Sequence, residues 1–295
     1  MSSDHPQLPV LLDTDLGDDI DDAYALAVCL RHPDLRLLAV STVRGDTELR
    51  AAQARYLLAL EGHPELPVAA GSRDALDSLV SVERNCQAGV VPPHEEERWR
   101  AGRHDGVQAL AEWSAANPGA VLLTIGPLTN AGRFVMEFPE EFSLLSRLVI
   151  MGGHLDPNLT HAEWNIHCDP RAAQIVLRAG KPILMVGLDV TLQCRMGKED
   201  LAQVGTARTP LSAALAAMTR LWQEHCNAGD PPFPTLHDPL AALAIAEPEV
   251  LRTVPRRVEI DRHGNCVLGE GKPNVAWAVE VDARKALDRI VGLVG

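Results

Sequence analysis

Six carboxylates fall within ten positions near the start of this chain, at Asp13, Asp15, Asp18, Asp19, Asp21 and Asp22, with no basic residue among them. Two unit charges 4 Å apart repel by roughly 4 kcal/mol at an effective dielectric near 20. A folded chain must therefore spread such a cluster into water or supply a cation. Apolar sequence closes the cluster in on both sides. Residues 8–12 read as a buried strand and 23–30 as a buried helix. Charges pinned between two buried elements cannot drift apart, so the stretch reads as a site for a hard divalent metal. Acids at the start of a helix also suit its dipole, but that accounts for one or two of them, not six.

The rest of the chain is acidic too, with 27 Lys and Arg against 40 Asp and Glu, a net charge of −13. That balance makes nucleic acid or an anionic membrane surface a poor partner. No apolar run approaches a membrane span, and the N-terminus has no signal-like segment. The six cysteines, Cys29, Cys86, Cys168, Cys194, Cys226 and Cys266, are scattered without a C-x-x-C pair. Their spacing argues against a zinc site or a disulfide framework and for a reducing, cytoplasmic setting.

Apolar strands and helices alternate along the chain. Strands are expected at 8–12, 37–43, 66–71, 121–125, 147–151 and 182–187, with helices after the acidic stretch, from 47 to about 60, and over 106–116, 128–138 and 170–179. Residues 72–105 and 154–168 read as polar loops. Beyond 190 the pattern is helical, at 198–204, 210–226 and 239–246. Then 257–260 and 274–281 read as edge strands, and 282–293 as a closing helix. His32, His63 and His225 read as surface residues. The expected fold is α/β: a single open domain, residues 1–295, with a mainly parallel, Rossmann-like central sheet flanked by helices. Ligands in such folds lie beyond the carboxyl ends of the strands. Asp15, Asp46, Ile125 and Met151 all sit at such ends and should converge.

Calcium takes six to eight oxygens from carboxylates, carbonyls, water and ligand hydroxyls. Asp21 and Asp22 open a helix about 100° apart around its axis, so one can grip a metal while the other serves a substrate. An EF-hand does not fit, because Asp18 stands where its turn glycine belongs. Asp13 and Asp15 also match the D-x-D of haloacid dehalogenase-like phosphatases, but Leu16-Gly17-Asp18 follows where Gly-Thr is usual. Farther on, Asn158, Glu163 and Asn165 occupy a loop beyond a strand end and offer hydrogen bonds to paired hydroxyls. His237-Asp238-Pro239 opens an Ala-rich helix. Asp238 reads as its N-cap with Pro239 at the first turn, while His237 has a side chain suited to proton transfer.

Asp13-Thr14-Asp15-Leu16-Gly17 with Asp21-Asp22-Ala23 closely resembles the N-terminal fingerprint of the inosine–uridine-preferring nucleoside hydrolase family, in a form with two extra residues. Ile125-Gly126-Pro127-Leu128-Thr129-Asn130, Met151-Gly152-Gly153, Ala162-Glu163-Trp164-Asn165 and His237-Asp238-Pro239 match later family motifs in order. The resemblance implies the nucleoside hydrolase fold and Ca²⁺-dependent hydrolysis of the N-glycosidic bond of ribonucleosides. It puts Asp15, Asp22, Asp238 and the carbonyl of Ile125 on the metal, and Asp21, Asn158, Glu163 and Asn165 on the ribose. Met151 packs beside the sugar, and Asp13 supports from behind. Asp15 is the expected general base toward a metal-held water, and His237 the candidate leaving-group acid. Asp46 stands where many members carry an Asn in contact with the sugar. A homodimer or homotetramer acting on a small-molecule nucleoside is expected. A non-catalytic nucleoside-binding protein on the same scaffold is the alternative from another class, and one that could dispense with Asp15.

Overall fold

The computed structural model describes residues 6–77, 85–93, 95–100, 102, 104–206, 209–225 and 233–295. Strand β1 (Leu8–Thr14) leads through the acidic stretch into helix α1 (Asp21–Arg31). Then come β2 (Leu35–Thr42), α2 (Thr47–Leu60), β3 (Val68–Ala70), the short α3 (Glu96–Arg100) and α4 (Gly106–Ala116). The alternation continues with β4 (Val121–Thr124), α5 (Thr129–Glu137), α6 (Pro139–Ser143) and β5 (Arg147–Met151). Next are α7 (Trp164–Cys168), α8 (Pro170–Leu177), β6 (Ile183–Val186) and α9 (Leu188–Thr191). Three helices, α10 (Lys198–Thr206), α11 (Pro210–His225) and α12 (His237–Ala246), precede β7 (Leu251–Arg256). The chain closes with β8 (Val258–Ile260), β9 (Cys266–Leu268), β10 (Val275–Val281) and α13 (Ala283–Val294).

Among the described residues the central sheet runs β3-β2-β1-β4-β5-β6-β10-β7, parallel except where β7 pairs antiparallel with β10. Strand β1 is central because its residues alternate between two apolar layers. Val10 and Leu12 join the core on one face, Leu11 that on the other. Burial on both faces explains the near-continuous apolar sequence. The chain reverses its direction of travel across the sheet between β1 and β4, which opens a crevice at their carboxyl ends. Asp15 follows one of these strands and Ile125 the other.

Some expectations are corrected. Residues 275–281 are not an edge strand, since β10 lies between β6 and β7. The edge is Leu251–Arg256, unread in the sequence because an edge strand carries arginines and a proline rather than an apolar run. Strand β8 leaves the main sheet to pair with β9. The polar loops hold the short helices α3 and α7. His32 is not a surface residue: it is 2% exposed, with Nε2 3.1 Å from Glu247 Oε1. Cys29, Cys168, Cys194 and Cys266 are free, but Cys86 is disulfide-bonded, a pairing through space that sequence spacing does not report. Cys226 lies outside the described residues. No described helix is long and apolar enough to cross a membrane.

Candidate active site

A cavity of about 460 Å³ opens at the β1–β4 crevice, within the ~300–1,000 Å³ usual for small-molecule sites. Asp15, Asp18, Asp19, Asp21, Asp22 and Asp238 line one side, and Asn158, Glu163, Trp164 and Asn165 another. Ile125, Met151 and His237 complete the part the sequence singled out. Residues from five separate motifs therefore meet in one space.

Asp21, Asp22 and Asp238 each offer a carboxylate oxygen within 4.8 Å of the others, and all three are buried. The Asp238 N–H donates to Asp21 Oδ2 at 3.1 Å, and Thr14 Oγ1 donates to Asp22 Oδ1. Burial, then the neighbouring acids, raises Asp21, Asp22 and Asp238 well above the carboxylate range. Such a trio needs either protons or a cation. An all-oxygen donor set of this kind fits a hard metal ion. The resemblance put Asp15 with Asp22 and Asp238; the close trio brings in Asp21 as well, and Asp15 lines the same cavity. Burial raises Asp15 to about 7, against the opposing pull of Arg50, with Asp18 adding to the rise. The expected carbonyl ligand, Ile125 O, accepts from Asn165 Nδ2 at 2.9 Å. A carbonyl oxygen carries two lone pairs, so this bond uses one of them.

The cation that the acidic stretch lacks in sequence arrives from α2 and the loop before it. Arg50, 1% exposed, donates to the carbonyls of Asp15, Leu16 and Arg44 and to Asp18 Oδ1. Arg44 donates to Asp18 Oδ2 at 3.1 Å. Two guanidiniums thus hold Asp18 and the turn it stands in. Asp19 Oδ1 accepts from the Ile20 N–H at 2.7 Å. The sequence reading missed Arg50, though a signal existed. Arg50, Gln53, Ala54 and Leu57 share one helix face at helical spacing, and two polar residues on that buried stripe need partners.

Glu163 caps α7, its carboxylate accepting from the N–H groups of Gly153, Asn165 and Ile166. Burial nevertheless keeps its pKa raised. Asn158 Nδ2 donates to Asp156 Oδ1 at 2.7 Å, within a tight local turn. His237 Nδ1 lies 2.7 Å from the Thr191 hydroxyl, and burial lowers its pKa to about 4, so the ring is neutral near neutral pH. Thr191 was also missed; nothing local in its sequence points to His237.

Two residues sit elsewhere. Asp46 does not line the cavity but caps α2 through the Leu49 N–H and pairs with Arg100 at 3.1 Å. Partial burial opposes its ionisation, and these partners outweigh it. Asp13 is fully buried behind the cavity, with Oδ1 accepting from Ser41 Oγ at 2.6 Å and Asn130 Nδ2 at 2.8 Å. Burial raises it to about 7. A phosphatase nucleophile at Asp13 has no access to a ligand in this cavity.

The family model described as inosine-uridine preferring nucleoside hydrolase matches residues 10–288. A pyrimidine-specific ribonucleoside hydrolase RihA of Salmonella gallinarum is 30% identical, over 95% of this chain and 96% of its own. The enzyme of that name from Escherichia coli O7:K1 is 31% identical over the same shares. Among solved structures, the plant nucleoside hydrolase PpNRh1 superposes with a TM-score of 0.85 at 25% identity, covering 98% of this chain and 99% of that one. A purine-preferring ribonucleoside hydrolase from Gardnerella vaginalis gives 0.82 at 26%, over 97% and 99%. The chain belongs to the inosine-uridine preferring nucleoside hydrolase family and is an N-ribosyl hydrolase.

Proposed function

We propose that the protein hydrolyses the N-glycosidic bond of ribonucleosides to free base and ribose, with Ca²⁺ at the carboxylate cluster. The observation that carries this reading is the meeting of Asp15, Asp21, Asp22 and Asp238 with Asn158, Glu163 and Asn165 around one cavity. Asp15, Asp22, Asp238 and the Ile125 carbonyl would hold the cation, and Asp21, Asn158, Glu163 and Asn165 the ribose, with Met151 packed beside it. Bound there, calcium would orient the 2′- and 3′-hydroxyls and acidify water.

Breaking the bond develops positive, oxocarbenium-like charge on the sugar. Buried carboxylates already fixed around it stabilise that charge without reorganising. Asp15 lines the cavity beside the carboxylates that would hold the cation, where it would accept a proton from the attacking water. His237 faces the same cavity and serves the leaving base, as a neutral ring donating a hydrogen bond from Nε2 while Nδ1 engages Thr191.

A reducing-sugar assay across inosine, uridine, cytidine, adenosine and guanosine, with calcium and with a chelator, tests the reading. Relatives named for pyrimidines and for purines share this scaffold, so the panel spans both. Ribose release that disappears with the chelator is expected. Tight nucleoside binding without ribose release would establish the binding-protein alternative.

A further inference from the structure

Arg44 is placed where no part of the reaction requires a residue. Its backbone has φ +68°, the one non-glycine residue with positive φ among those described. This left-handed conformation is disfavoured for any residue with a Cβ and persists only where its surroundings hold it. Here the Arg44 N–H donates to Ser72 O at 2.7 Å, and the Arg44 carbonyl accepts from Arg50 Nε at 2.7 Å. From this fixed base the side chain reaches Asp18 and Trp164. One of its nitrogens lies 3.1 Å from Asp18 Oδ2, and its guanidinium carbon lies 4.8 Å from the centre of the Trp164 ring.

Asp18 and Trp164 both line the cavity, on opposite loops. Trp164 stands between Glu163 and Asn165, and the residue is 43% exposed. Two contacts support the ring: the Arg44 guanidinium, and the His167 ring 6.2 Å away and tilted by 38°. Arg44 itself is only 9% exposed, so the cation side of this contact is desolvated while the ring side is open to solvent.

We propose that Arg44 is a positioning residue: by bracing Trp164 against Asp18 it holds the Glu163–Asn165 turn in register with the carboxylate loop, and so sets affinity for the sugar. This gives Asp18 a task, as the anchor that aims Arg44 rather than as a metal ligand. The proposal rests on the ribose-binding role of Glu163 and Asn165 given above.

Arg44→Met keeps an unbranched stem to about the Nε position and removes the guanidinium, and Arg44→Lys restores charge without the planar fork. In Arg44→Met, KM for inosine and uridine should rise about three- to fivefold, the scale of a partly exposed cation–π contact, with kcat within about twofold of wild type. Calcium affinity by calorimetry should be unchanged. Arg44→Lys should recover part of the loss. Trp164→Leu should raise KM similarly, and the double variant should be no worse than either single one. Unchanged KM in Arg44→Met, or fully additive losses in the double variant, overturns the brace. A joint fall in kcat and calcium affinity also overturns it, since Arg44 would then be supporting the metal loop. A second readout is independent of catalysis. With 5-fluorotryptophan incorporated, the ¹⁹F signal assigned through Trp164→Phe should shift in Arg44→Met. A wild-type protein that cleaves no nucleoside removes the functional reading, and the ¹⁹F comparison then decides the brace alone.

Discussion

The backbone N–H of Asp238 donates to Asp21 Oδ2 across 3.1 Å, joining two residues 217 positions apart. It ties the first turn of α12 to the first turn of α1, and with Asp22 it draws three carboxylates together. Burial raises these acids, and Asp13 and Asp15 to about 7. In the metal-free protein the native carboxylates keep protons that the unfolded chain releases above about pH 4. The unfolded state then binds fewer protons, so stability falls as pH rises from there through the raised native values. A cation replaces those protons and reverses the penalty. The gain in Tm from calcium over chelator should therefore widen between about pH 5 and pH 8. A site at a hundred times its dissociation constant contributes about 2.7 kcal/mol. Thermal unfolding at several pH values checks this; a calcium effect that is absent or flat with pH would count against the cluster as the metal site. Asp238→Asn should shrink it.

Asp15→Asn preserves the shape of the side chain and the carbonyl that Arg50 holds, but not the ability to take a proton. Turnover of inosine and uridine should fall by about 10²–10⁴-fold, the usual contribution of a general base, with the circular dichroism spectrum unchanged. Retained turnover would remove Asp15 as the base.

The acidic stretch was legible as a site because apolar runs flank it and strand–helix alternation fixes where strand ends point. Its internal division was not. Asp18 reads as a helix-terminal acid until Arg44 and Arg50, 26 and 32 positions on, are seen to grip it. His32 looks like a surface residue until Glu247, 215 positions away, closes over it. Asp46 sits at a strand end as expected, yet Arg100 and its own capping bond turn it from the cavity. In each case the deciding partner is remote, and a residue's type does not name its partner. Strand order failed at β10 for the same reason, since hydrophobic pattern reports burial rather than neighbour.

His237→Ala should cost purine and pyrimidine nucleosides more turnover than a nitrophenyl riboside, whose leaving group needs no help. Thr191→Val removes the hydroxyl 2.7 Å from His237 Nδ1 at almost constant volume. It should shift the same ratio in the same direction by a smaller factor. Steady-state kinetics on the two substrate classes measures both. Equal losses on both classes would remove His237 from leaving-group activation.

Gly126 follows β4 beneath the Asp15 turn, and a Cβ there would stand 2.8 Å from Asp15 Oδ1, 2.9 Å from Asp15 N and 2.8 Å from Val43 Cγ1. The carboxylate could rotate away, but the backbone nitrogen of Asp15 belongs to a turn that Arg50 fixes through its carbonyls. Gly126→Ala must therefore move the turn itself. Overpacking of this kind costs about 1–3 kcal/mol, seen as a drop of a few degrees in Tm. Activity should fall far more than that loss of stability explains, because a displacement well below 1 Å misplaces the base relative to the sugar. Measured well below the Tm, where the variant is folded, kcat separates the two effects. A Gly126→Ala enzyme with wild-type kcat would mean that the turn relaxes without moving the carboxylate, and that Asp15 does not depend on the close approach of β4.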